Sequence, residues 1–296
     1  MRVRHLYNSL NHFKSYATYK LLVAPADENY YLARWCRINR LYAEFFWQAQ
    51  QAIEKYLKAT LVVNDVPVQE IGHDLSRAFE KHKIAFDDLA FCEFKKPKRL
   101  TDRLWRPKSP ENFLQKINTQ GHPDSRYRLI SWHNSPTDLF MLDQLAFAFR
   151  RLTVGINWTV GADWKVASYH KRYVGMTFAE VLRLRSQYQP RGSIKTITGP
   201  TDSAGSRLED SFYAWNFPHI RSHKDIEKKA PPSVSSVMGA ASNSQTFLMY
   251  EALDRASAST HPIELAGIRW FIDHFHLDRG TKAAFEEKLA EAAQRP

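Results

Sequence analysis

Twelve histidines lie among 42 lysines and arginines in this 296-residue chain. Imidazole moves protons near neutrality, and a neighbouring cation can hold an anion while it does so. His219 and His223 stand one turn apart if helical, with Asp225 close behind, a spacing open to a metal ion. His274 and His276 are separated by one residue and would face apart on a helix. P-loop, HExxH, CxxC and GxSxG patterns do not occur; the stretch Gly199–Gly205 lacks the Lys-Ser/Thr pair that a phosphate loop needs. Neither a metal nor a cofactor is therefore expected. A second grouping sets Trp158, Trp164, Tyr169, Tyr173 and Tyr188 among Lys165, His170, Lys171 and Arg172. That mixture can stack bases while holding phosphates, with core packing the competing use of the tryptophans. Lys165, Lys171 and Arg172 are candidate nucleic-acid or phosphate contacts.

The charge balance suits a polyanionic partner: 42 Lys+Arg against 31 Asp+Glu give a formal net charge of +11. A solvated basic surface would give the same number. Hydrophobic residues make up 44%, enough for a core and against wholesale disorder. No window approaches the roughly 18 apolar residues of a spanning helix. The basic start, MRVRHLYNSLNHFKSY, has no apolar block behind it, so a cytoplasmic protein without a membrane association is expected. Cys36 and Cys92 are too few for a disulfide framework or a zinc cluster.

The elements that must position such residues read as helices. Residues 1–24 form a short helix or arm, broken at Pro25, and Asp27 is a natural cap for a helix over roughly 27–41. From Glu44 to Leu61, Phe46, Ala49, Ile53, Tyr56, Leu57 and Thr60 follow the spacing of a buried stripe. Glu54 and Lys58 sit one turn apart in the favourable acid-first order. A third helix begins near His73–Asp74 and carries Leu75, Ala78, Phe79 and Ile84 inward. Ser135 with Pro136 marks the start of a helix running to about Leu152. A long basic helix is expected over Ala162–Gln187, loops over 189–207 and 229–245, and closing helices near 246–258, 262–276 and 280–294. The fold class is all-α.

Three stretches carry a more specific signal: Ala33-Arg34, the run Ala49-Gln50-Gln51-Ala52-Ile53-Glu54-Lys55-Tyr56-Leu57-Lys58-Ala59, and Gly72-His73-Asp74-Leu75. In order and spacing they resemble the HEPN family of bacterial and archaeal helical domains, with the likeness covering roughly residues 20–155. Arg126-Tyr127 and the helix Asp138–Arg151 resemble the end of that domain. The resemblance implies an antiparallel HEPN-like bundle of four or five helices over residues 1–155, often paired as a homodimer. It implies RNA or nucleotide handling in toxin–antitoxin, defence or stress systems, in some members beside a nucleotidyltransferase-type partner protein. Lys55, Lys58 and His73 are its candidate phosphate contacts, although His73 also suits a cap or buttress. Residues 156–296 form a helical C-terminal region of unassigned role.

Nucleolytic HEPN proteins carry Arg, four to six residues, then His. RNA cleavage needs a base to take the 2′-hydroxyl proton and a fixed cation to meet charge on the phosphate, without a metal. Five of the 12 histidines here have an Arg at that distance: His82, His133, His261, His274 and His276. Position selects Arg128 and His133, directly before the last helix of the likeness, where a helix N-terminus would favour a phosphate. Arg77 and His82 are the fallback pair. Leu129 follows Arg128 where the family usually has a polar residue, and Ser135 stands where modified toxins carry Tyr. The expectation is RNA or nucleotide binding, with metal-independent endoribonuclease activity at Arg128–His133; the competing class is a non-catalytic interaction or sensing module.

Overall fold

The computed structural model describes residues 9–96, 102, 105, 106, 108–122, 134, 135, 137–162, 173–184, 245–257, 261–275, 277 and 279–295. The described residues are mostly helical, and an isolated antiparallel bridge joins Thr159 and Thr177. The helices are α1 (Leu10–Thr18), α2 (Ala24–Ile38), α3 (Tyr42–Val63), α4 (Leu75–Phe86), α5 (Pro110–Gln120), α6 (Asp138–Arg150) and α7 (Phe178–Leu184). Near the C-terminus come α8 (Gln245–Arg255), α9 (Pro262–His274) and α10 (Arg279–Gln294).

The expected break at Pro25 does not occur. A π-helical turn, Tyr19–Val23, joins α1 to α2 and lets the chain continue helically past Pro25, which lies in the first turn of α2. Proline lacks an N–H and crowds the carbonyl four residues back; a wider turn just before it relieves both. Asp27 is consequently no cap but a fully buried carboxylate inside α2.

α3 is the hub, packed against α1, α2, α4, α5 and α6. Every member of its expected stripe, from Phe46 to Thr60, is buried. α6 is buried almost all round from Met141 to Arg150, as a helix must be when it fills the middle of a bundle. It begins at Asp138 rather than at Ser135. Ser135 instead bridges forward onto the helix start, its hydroxyl meeting the Thr137 hydroxyl while its N–H donates to Asp138 Oδ2 (2.6 Å). Ile84, expected inside, is 84% exposed; the inward positions of that turn of α4 belong to His82 and Phe86.

The C-terminal helices bury Met249, Leu253, Ile268, Phe271, Phe285 and Leu289 in the same core as the bundle, with α9 lying against α1. Residues on both sides of position 155 share that core. A second cluster gathers Val63, Phe86 and Leu89 with Leu152, Trp158, Tyr173 and Phe178. Trp158 and Tyr173 therefore serve the core. The long helix expected over 162–187 is not continuous: residues 173–177 form a turn that ends in the bridge at Thr177, and α7 is the helical part described.

Candidate functional site

Of the residues named from the sequence, Arg128, His133, Lys165, Lys171 and Arg172 lie outside the described residues, as do His219, His223, Asp225 and His276. The described candidate contacts and fallback pair, Lys55, Lys58, His73, Arg77 and His82, fall on α3, α4 and the turn between them.

The fallback pair is not assembled. Arg77 is about half exposed, its guanidinium donating to the Glu70 carbonyl (2.7 Å) and facing the Glu70 carboxylate (3.7 Å). His82 is wholly buried among Phe79, Phe86 and Phe149. Its Nδ1 lies 2.9 Å from the Thr60 hydroxyl, which itself donates to the Leu57 carbonyl (2.8 Å). Nδ1 therefore carries the ring proton, and Nε2 is buried without a hydrogen-bond partner. Burial, and secondarily Arg151, pushes its pKa down to about 3. A neutral ring facing phenylalanines is a core residue, and the five-residue spacing on one helix explains why its arginine points elsewhere.

Lys55, Lys58 and His73 do come together around α3. Lys55 donates to Asn29 Oδ1 (2.9 Å), Gln51 Oε1 (2.9 Å) and the Gln51 carbonyl (3.4 Å). Those contacts use all three of its protons, so it offers an anion its charge rather than a free donor. Burial lowers its pKa, with Glu54 opposing and Lys58 adding to the shift. Glu54 is buried and tightly held: Gln50 Nε2 donates to Oε2 (3.1 Å) and Lys58 Nζ to Oε1 (2.7 Å). His73 Nδ1 lies 2.9 Å from Oε1 and 3.1 Å from Oε2. The His73 side chain is otherwise 84% exposed. His73 thus buttresses α3, and Asp74 caps α4, accepting from the N–H groups of Ser76 and Arg77. Gly72, in the left-handed region at φ +59°, turns the chain so that His73 reaches back to α3.

Two cations lie at the start of α6, each already engaged by protein groups. Lys116 Nζ donates to both oxygens of the buried Asp138 (2.7 and 2.8 Å), and Arg37 donates to the Ser135 carbonyl (3.2 Å). Burial lowers the Lys116 pKa against Asp138, with Lys108 and Arg37 adding to the depression.

Two buried networks were not legible in the sequence. Arg150 Nε and Nη2 donate to Asp27 (3.0–3.3 Å), which also accepts from the Tyr56 hydroxyl (2.6 Å). Burial raises the Asp27 pKa, with Arg150 and Tyr56 holding it back. Beside it Asp143 pairs with Arg34 and accepts from the Tyr30 hydroxyl (2.6 Å). Burial works against the charge of Arg34, but Asp143 and Tyr30 more than offset it and its pKa ends raised. These ions lie inside the bundle, where they fasten α2, α3 and α6 together. Both members of the Ala33-Arg34 stretch are thus interior residues.

Residues 19–107 match the family model of the HEPN domain. These residues form a HEPN domain. The match takes in all three signature stretches and ends before α5, so it covers under a third of the chain and leaves α6 and everything beyond outside it. No curated protein and no solved structure matches the chain. In this HEPN domain the signature residues divide by position. Arg34 is interior, Glu54 is the buried anchor, Lys58 lies mostly buried against it, and His73 is the group it presents at the surface. Among the described residues, no helix is long and apolar enough to cross a membrane.

Proposed function

We propose that this protein binds RNA or a nucleotide within a bacterial defence or toxin-type system and acts as a metal-independent endoribonuclease. The HEPN domain carries this reading, because its relatives commonly handle RNA. The excess of 42 basic over 31 acidic side chains supports a polyanionic partner. In the reading, His133 exchanges the proton and Arg128 meets the charge on the phosphate. A homodimer pairs two such segments, and a nucleotidyltransferase-type protein is the candidate partner.

Incubating the purified protein with mixed RNA in EDTA tests this. The expected outcome is cleavage leaving 2′,3′-cyclic phosphate ends, lost in His133→Ala, together with binding that weakens steeply as salt rises. Intact RNA that is nevertheless bound leaves a binding module, and no binding at all refutes the reading.

A further inference from the structure

We propose that the outward face of α2 is where two copies of this chain meet, the two helices running antiparallel about a two-fold axis between Leu32 and Trp35. The proposal rests on the homodimer of the reading above and supplies its contact face; it needs neither RNA binding nor cleavage.

The face follows from what α2 does inside the bundle. Asp27, Tyr30, Ala33 and Arg34 are buried, and the polar ones tie the helix to α3 and α6 through Tyr56, Arg150 and Asp143. With that side committed, the helical period turns Glu28, Leu32, Trp35 and Asn39 outward in one exposed stripe. A solvent stripe is ordinarily polar, but the centre of this one is Leu32 and Trp35, 40% and 39% exposed. Leu41, 45% exposed, follows just beyond the helix. Three of the six large hydrophobic side chains exposed among the described residues thus fall within one short stretch, 32–41. Clustered apolar exposure marks a contact surface, whereas single exposed residues do not.

Charge identifies the occupant. The apolar centre has an acid at one end, Glu28, and a base at the other, Arg40. Both are exposed, and among the described residues neither side chain has a hydrogen-bond or ion-pair partner. In a two-fold contact, residue i meets j while j meets i. Setting Leu32 against the partner's Trp35 carries Glu28 to the partner's Asn39 and Arg40, and the same contacts recur on the other side of the axis. Reversed, the stripe is therefore complementary to itself, with apolar pairs in the middle and an acid–base pair at each end. A parallel pairing would set Glu28 against Glu28 and Arg40 against Arg40. The net charge of +11 repels two copies at a distance, so the approach depends on this local match.

Sedimentation velocity of the full chain over a range of concentrations tests the face. The wild type is expected to dimerise reversibly. Trp35→Asp should weaken the dimer about a hundredfold or more, because the loss of an aromatic anchor is felt twice by symmetry. Glu28→Lys and Arg40→Glu should each weaken it about tenfold, since like charges then meet at both ends. Combined in one chain, those two substitutions should restore association. Positions 28 and 40 stand about 18 Å apart along the helix, too far to pair within one copy, so recovery reports contact between copies. Helical circular dichroism should be unchanged throughout, because every altered side chain is exposed. A dimer that all four variants leave intact overturns this face while the homodimer stands on another surface. Weakening by the single charge variants without recovery in the double variant overturns the antiparallel pairing. A wild-type chain that stays monomeric at every concentration overturns both the face and the homodimer and leaves the stripe to a different protein.

Discussion

His82 shows how one side chain can be disqualified from chemistry and still govern behaviour. Its neutral ring fills a phenylalanine-lined space, and protonating it there would place a cation beside Arg151 with no carboxylate in contact. Its pKa is about 3 in the folded protein and, on release, returns to about 6.5. Between those values the unfolded chain binds the proton first, so this contribution to stability is intact above about pH 6.5 and is lost as pH falls toward 3. The slope approaches about 1.4 kcal/mol per pH unit, on top of whatever other groups contribute. His82→Phe should flatten the urea-unfolding free energy between pH 6 and 4, because Thr60 keeps its bond to the Leu57 carbonyl. An identical slope in that variant would place the acid sensitivity elsewhere.

At the scale of the elements, apolar spacing was readable and ion placement was not. The stripe Phe46–Thr60 and the inward face of α4 through Phe79 follow from a 3.6-residue period that tertiary packing reinforces. Asp27 was misread because Pro25 ordinarily ends a helix, and nothing local announces a π turn that carries the chain past it. Its partner Arg150 lies 123 residues away, beyond the reach of any local pattern. For the same reason His73 could be named without Glu54 being seen as its anchor: the bond spans the turn at Gly72, whose backbone angle no spacing rule supplies. The Asp27–Arg150–Tyr56 network has a direct consequence. Arg150→Met would leave a buried carboxylate with only a phenol to answer it, and the expected cost is about 3–5 kcal/mol in urea unfolding. Adding Asp27→Asn removes the stranded charge and should recover much of that loss. A double variant as unstable as the single one would mean that α6 is held by packing volume rather than by this pair.

For the whole molecule, the question is how the C-terminal helices attach to the HEPN domain. The seam is short and chemically mixed. Asp65, at the end of α3 with φ +62°, accepts both Lys14 Nζ of α1 (2.6 and 2.7 Å) and the Trp270 indole N–H of α9 (2.7 Å). Next to it the Phe13 ring packs flat against Gly267, so closely that a β-carbon there would lie 2.5 Å from the ring. Only glycine admits that approach, and the ring cannot retreat because Phe13 is itself 2% exposed. Gly267→Val should therefore push α9 off α1 at a cost of about 1–3 kcal/mol, outweighing the helix propensity that replacing glycine adds. Hydrogen exchange locates the damage. Amides of α9 and α10 should exchange faster, while those of α3, which pack against α2, α4, α5 and α6, keep their protection. Equal acceleration in α3 would instead show that the HEPN domain and the C-terminal helices open as one cooperative unit, with the seam at Asp65 and Gly267 belonging to a single core.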